Sequence, residues 1–333
     1  MLRTKPTLFL LLALLTVLLA ACGSSADTPS APTPPAAGES ETPNAAEEEG
    51  ATQQVEHLKG TSEVPRKIER MVVLSAAYVD HLLTIGEKPA GVNSETRYGG
   101  DYLPYLADKL QGVPTVGSAD SPNLEAILDI NPDVIVVESR TDENTYDQLE
   151  KIAPTIVLGT EWQDYGEEAD FWTVDLLAIA ELYDKVDVAE ARIAEVKEQA
   201  AQLRERIQAL PEKKFAYLRI REKTLQIYAQ KGHPTTVLLY EELGFEPSAV
   251  TPTENREDLS QERIPDLDAN FIVTEVDPNG VQLQEEIMAS ALWQAVPAVA
   301  ADQVLQTDSF WLFKGWGAIG RSEIMNELTE WLN

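Results

Sequence analysis

At 333 residues with 44% apolar side chains, the chain has room for two domains and a substantial core. A formal net charge of −30 makes it a poor partner for nucleic acid, which demands basic patches. A single cysteine excludes an internal disulfide and a cysteine-based metal site.

The long apolar run at 7–21 follows Arg3 and Lys5 and ends in Leu19-Ala20-Ala21-Cys22. At about fifteen residues it is too short to span a bilayer, and residues 1–21 read as a secretory signal peptide. The cut before Cys22 resembles a bacterial lipobox, which implies that Cys22 becomes the lipid-modified N-terminus. Residues 22–57 are mostly Ser, Pro, Ala, Gly, Thr and Glu, so they bury too little to fold and are predicted to be a disordered tether.

From 58 the pattern is one of short buried strands and helices. A strand is predicted at 71–74, a helix at 78–85 stopped by Gly86, and a strand at 90–92. This βαβ order implies a parallel sheet covered by helices. A polar, aromatic loop at 95–105 follows, then a strand end at 113–117. Next come a helix turned by Asn131-Pro132 into a buried strand ending at Val137, a strand at 155–158, and an apolar helix at 171–183.

Residues 187–209 then read as one unbroken helix. Ile193, Val196, Ala200, Leu203 and Ile207 recur at alternating spacings of three and four, which gives one buried stripe. Asp187 with Glu190 suggests a capping box, Pro211 ends the run, and acids precede Arg204 and Arg206 as the macrodipole favours. At its ordinary rise the helix spans about 33 Å. Beyond it, strands at 215–220 and 225–228 flank a turn at Glu222-Lys223, and a helix at 236–243 stops at Gly244. The run 260–274 repeats 123–137 at a constant offset. It sets Glu262 on Glu125, Ile264 on Ile127, Asp266 on Asp129, Asn270 on Asp133 and Ile272 on Ile135. A strand at 303–307, an aromatic-rich loop at 310–316 and a helix to Leu332 close the chain.

Together these motifs resemble the substrate-binding lipoproteins of iron-siderophore ABC importers. The stretches that carry the likeness are the lipobox, N-L-E-A-I-L-D-I-N-P-D-V-I-V-V, Lys151-Ile152-Ala153-Pro154-Thr155, the central helix, Leu239-Tyr240-Glu241-Glu242-Leu243-Gly244, and Leu292-Trp293 with Pro297-Ala298-Val299. The resemblance implies an α/β fold: two Rossmann-like lobes with parallel-type sheets, 58–186 and 210–333, joined by the helix 187–209, with the ligand in the cleft between them. It implies a monomer on the extracytoplasmic face of the cell membrane, anchored through Cys22, that passes a ferric siderophore to an ABC permease and its ATPase. It also implies that Glu125 and Glu262, one on each lobe, dock against basic pockets of the permease.

A bulky, often anionic ferric chelate calls for forked cations and aromatic faces. Arg219 and Arg221, two apart on a predicted strand, share one face of it. The resemblance places this L-R-I-R stretch in the second-lobe site of receptors for catecholate or citrate-type chelates. Arg97, Tyr98, Arg140 and Tyr78 fall near the C-terminal ends of first-lobe strands, where open α/β sheets bind ligands. Trp311, Lys314 and Trp316 sit in the aromatic loop, with Trp162 placed to face them. His233 lies where relatives carry pocket residues, although Lys231-Gly232-His233-Pro234 departs from the hydroxamate-type pattern.

Other functions find less support. Gly315-Trp316-Gly317-Ala318-Ile319-Gly320 spells the dinucleotide fingerprint, but the 13 residues after Gly320 are too few for the rest of that unit, so the segment reads as a flexible loop beside the cleft. Hydrolase, zinc-protease and P-loop motifs are absent from the sequence, and no cofactor is expected. His57, His81 and His233 are scattered, so iron would be held by the siderophore and by no residue directly. Cobalamin or haem remains an alternative ligand for the same architecture.

Overall fold

The computed structural model describes residues 50–96, 100–159, 171–307 and 310–333. The predicted signal peptide, Cys22 and most of the predicted tether lie outside the described residues. Order begins earlier than position 58. Thr52–His57 (β1) pairs antiparallel with Gly60–Pro65 (β2). Val55 alone gives that segment an apolar signal, so its own pattern is too weak to mark a strand. Tertiary contact holds it instead. The Leu58 N–H donates to the Val157 carbonyl at 3.1 Å, and His57 Nδ1 accepts the Val157 N–H at 3.3 Å. The hairpin thus covers an edge strand that would otherwise offer open backbone groups.

That edge belongs to the first sheet, built from Met71–Val73 (β3), Gly91–Val92 (β4), Val134–Glu138 (β5) and Thr155–Leu158 (β6) in the order β4-β3-β5-β6, parallel throughout. Helices Ala76–Thr84 (α1), Leu124–Ile130 (α2) and Trp172–Glu181 (α3) belong to this lobe. The second sheet runs Leu225–Ile227 (β8), Lys214–Ile220 (β7), Phe271–Val276 (β9), Val304–Thr307 (β10), with Glu246–Pro247 and Glu257–Asp258 at its margins. Here the sheet is mixed rather than parallel, because the turn between β7 and β8 is too short for a crossover and makes them an antiparallel hairpin.

The sequence repeat is a repeat of backbone pairing. Asp133 donates its N–H to the Arg70 carbonyl (2.9 Å), and its carboxylate accepts the Arg70 N–H (2.8 Å). Asn270 does the same to Lys214, at 2.8 and 3.0 Å. Each residue registers a buried strand, β5 or β9, against its parallel neighbour, β3 or β7. Alternate strand residues then feed different cores. Met71, Val73, Val134, Val136, Phe215 and Tyr217 point into a core shared by the lobes, whereas Val72, Ile135 and Val137 fill an outer core of the first lobe. Ala216, Leu218 and Ile220 fill that of the second.

The connecting helix spans Val186–Gln208 (α4) and buries all five predicted stripe residues together with Ala189. Its start differs from expectation. Lys185 is the cap residue and no side chain caps the helix, so Asp187 and Glu190 form no capping box. Lys185 instead pairs with Glu87 and donates to the Ile85 carbonyl at 3.1 Å, which ties the helix to the first lobe.

Ala318–Trp331 (α5), assigned by sequence to the second lobe, packs back along α4 and against α1. Gln199 donates to Asn326 Oδ1 (2.8 Å) and Arg192 to Ser322 Oγ (3.0 Å). At its N-terminus the Ile319 and Gly320 N–H groups donate to the Asp80 carboxylate of α1, at 3.1 and 2.9 Å. The G-x-G-x-x-G segment is therefore a packed helix start and no flexible loop. A Cβ on Gly317 would sit 2.1 Å from Asp80 Cγ, and one on Gly320 2.3 Å from the Lys314 carbonyl. The fingerprint does bind an anion at a helix N-terminus, but the anion is a side chain of the same protein.

Asp80 is fully buried, and burial pushes its pKa from 3.8 up to about 6, with the two N–H groups only partly offsetting that cost. The folded state then holds this proton more tightly than the unfolded chain, so the contribution of Asp80 to stability falls as pH rises between those two values. Urea unfolding of wild type and Asp80→Asn should show their stability difference drifting in that direction across the window. A pH-independent difference would contradict it.

Candidate functional site

The C-terminal ends of both sheets open onto one cavity of about 490 Å³. The first lobe lines it with Ser75 to Ala77 after β3, Asn93 to Thr96 after β4, Ser118 to Asp120, and Glu138 and Arg140 at the end of β5. The second lobe supplies Arg219, Tyr228, His233, Arg256, Leu312, Phe313 and Trp316.

Arg219 leaves β7 beside two carboxylates: its Nε lies 2.7 Å from Asp277 Oδ1 and 3.8 Å from Glu275 Oε1. Burial works against its charge, but the Asp277 hydrogen bond and the Glu275 field outweigh it and hold its pKa above the ordinary value. Glu275 is buried and its pKa is pushed up by that burial, while the Tyr217 hydroxyl donates to it. Arg219 also points a guanidinium N–H at the Tyr228 hydroxyl, 3.5 Å away. Arg140 pairs with Glu138.

His233 Nδ1 accepts the Thr235 N–H at 3.2 Å and so caps the short helix Pro234–Val237. Burial first, then the fields of Arg219 and Arg256, push its pKa down to about 3. The ring is neutral at physiological pH, and with Nδ1 accepting, Nε2 carries the proton. Tyr228 and Trp316 meet it edge-on, with centroids 5.8 Å away in both cases. These three rings form an aromatic wall on the second-lobe side.

Of the predicted contacts, Arg219, Arg140, His233 and Trp316 come together at this cavity. Arg221 lines an adjoining compartment instead. Tyr78 does not reach the cavity: it lies on the inner face of α1, fully buried, and donates to Asp175 at 3.1 Å. Trp311 and Lys314 are also buried, behind the wall. Trp311 Nε1 donates to Glu327 at 2.7 Å, and Lys314 pairs with Glu323 and Glu327 of α5. Both anchor the C-terminal helix rather than a ligand. Arg97, Tyr98 and Trp162 lie outside the described residues. Sequence reasoning missed Arg256, which sits in the acidic run Glu254-Asn255-Arg256-Glu257-Asp258 and looks there like a solvated surface charge. Pairing of Glu257–Asp258 with β8 is what brings it over Tyr228, with its guanidinium carbon 5.9 Å from the ring centre.

Glu125 and Glu262 are exposed and line neither the main cavity nor the compartment that Arg221 lines. Each occupies the first turn of a short helix, α2 and the 3₁₀ helix Gln261–Asp266, two residues before a buried isoleucine. Asn123 caps the first through the Ala126 N–H (3.2 Å). Backbone and Ser260 hydrogen bonds hold the Glu262 carboxyl below its usual range.

Two α/β lobes, a helical connection and a ligand-sized cavity at the strand ends of both sheets define a solute receptor. The chain belongs to the periplasmic binding protein family, whose sequence profile matches residues 71–309. It is 29% identical over 272 residues to the probable siderophore-binding lipoprotein YfiY of Bacillus subtilis, covering 77% of this chain and 80% of that one. To the Fe(3+)-citrate-binding protein YfmC of Bacillus subtilis it is 26% identical, covering 90% and 89%. The crystal structure of Staphylococcus aureus SirA complexed with staphyloferrin B superposes with a TM-score of 0.68 at 26% identity, covering 85% of this chain and 99% of that one. The family consists of binding proteins and not enzymes.

Proposed function

We propose that the protein is a lipid-anchored, monomeric receptor that captures a ferric siderophore between its lobes and delivers it to an ABC permease through Glu125 and Glu262. The observation that carries this reading is the cavity, where guanidinium groups of both lobes and an aromatic wall converge on one space. Its volume lies within the roughly 300–1,000 Å³ of small-molecule sites. Arg140 and Arg219 supply forked donors for anionic chelate oxygens, and Trp316, Tyr228 and the neutral His233 supply flat faces and a fixed donor. No residue is asked to bind iron, since the chelator fills the metal's coordination sphere. The relatives' names support the ligand class, and the predicted lipobox supports the anchor.

Titration with ferric catecholate, citrate and hydroxamate complexes should quench tryptophan emission saturably for at least one of them. The chelate should be recovered unchanged, and Trp316→Phe should shrink the amplitude. Haem and cobalamin serve as competitors in the same assay. Quenching by those two and by no ferric chelate would sink the proposal.

A further inference from the structure

Beside the main cavity lies a second compartment of about 350 Å³, on the outer side of Arg219. The two share Arg219, Tyr228 and Arg256, so they adjoin across those side chains. Their charges differ. Among the described residues, Arg140, Arg219 and Arg256 in the main cavity face Glu95, Asp120 and Glu138. In the side compartment Arg219, Arg221 and Arg256 face a single lining carboxylate, Asp277.

That carboxylate is already occupied. Asp277 takes Arg219 at 2.7 Å and Arg221 at 3.6 Å, and only 12% of its side chain is exposed. Glu275 lies behind Arg219 and lines neither space. Arg221 keeps half of its side chain exposed, and Arg256, also exposed, makes no ion pair among the described residues. Arg256 is positioned by the Tyr228 ring, and Gln226 on the floor is fixed by its hydrogen bond to Asp258 (3.0 Å). In a chain of net charge −30, this is a concentrated positive site with unused forked donors.

We propose that the side compartment binds a carboxylate of the ligand that is not bound to iron, with the metal centre in the main cavity and the acid arm passing Tyr228 to reach Arg221 and Arg256. The inference rests on the receptor function proposed above and goes further: it selects chelators with a spare carboxylate over those whose anionic groups all bind the metal. Arg219 stands between the compartments with its charge balanced by Asp277 and Glu275, so discrimination falls to the two outer arginines.

The test uses a ferric citrate-centred dihydroxamate chelate that carries an added carboxylate on one arm, beyond the citrate hydroxycarboxylate and the hydroxamates that hold the iron, and the same chelate with that added group capped as a methylamide. Wild type should prefer the acid by about tenfold or more, the scale of a guanidinium–carboxylate pair. Arg221→Gln, which lines only the side compartment, should reduce the preference with affinity for the amide unchanged, and adding Arg256→Gln should abolish the preference. Trp316→Ala should weaken both chelates alike. Equal binding of acid and amide by wild type would overturn the side site while leaving the receptor function standing. Equal loss of both chelates in Arg221→Gln would also overturn it, since Arg221 would then act on the metal centre. Failure of wild type to bind any ferric chelate would overturn the receptor function itself.

Discussion

Charge reversal of both docking carboxylates, Glu125→Lys with Glu262→Lys, should reduce iron uptake by about a hundredfold or more while leaving ligand affinity unchanged, because a close interfacial charge pair is worth roughly 1.5–7 kcal/mol. The two glutamates are exposed and lie outside the main cavity and its side compartment, so a ligand held there would not touch them. Their positions are nevertheless rigid. Each sits in the first turn of a helix that leads into a buried strand, and those strands are registered by Asp133 and Asn270 through equivalent backbone bonds. Leu128, one turn after Glu125, is 59% exposed and gives the first-lobe patch an apolar centre. Radioiron uptake by cells and fluorescence titration of the purified variant are the paired measurements. Uptake retained by the double variant would remove the docking role.

A large stability effect is expected at Arg321. Its side chain is fully buried in α5, pairs with Glu242, donates to the Gly315 carbonyl at 3.1 Å, and lies over the Trp172 ring of the first lobe with its guanidinium carbon 4.8 Å from the centroid. Arg321→Met removes these contacts and strands Glu242 in a largely buried position, a change that costs about 3–5 kcal/mol. Adding Glu242→Gln should recover part of the loss, because the stranded charge is then gone. Urea unfolding of the single and double variants measures both. A loss under about 1 kcal/mol in the single variant would show that the buried pair contributes little.

Elements whose signal is periodic were legible from sequence: the stripe of α4, the buried strands, and the repeat that pairs Glu125 with Glu262. Such patterns depend on which residues lose water, and periodicity reports that directly. Side-chain destinations were less legible. Tyr78 lies just after a strand end, as a ligand contact would, but the rotation of α1 turns it inward. Trp311 and Lys314 have the composition of an anion site, yet α5 covers them, and nothing near residue 311 announces that helix's return. Asp80 and Gly320 are 240 positions apart, and no local rule joins them. Arg256 was hidden for the opposite reason: its acidic neighbours in sequence make it look like a solvated charge, and only the pairing of Glu257–Asp258 with β8 brings it over Tyr228.

The return of α5 along α4 and onto α1 fastens the two halves of the receptor at a second place. A body joined by one rod can rock about it, whereas one held along two rods is more restricted. On that fastening, an empty and a loaded receptor would present nearly the same outline, with the same spacing between the two glutamates. Under the proposed docking, a transporter that measures this spacing cannot tell a filled carrier from a vacant one, and vacant carriers compete for its door. Iron entry would depend on the fraction of receptors that are loaded as well as on how many there are.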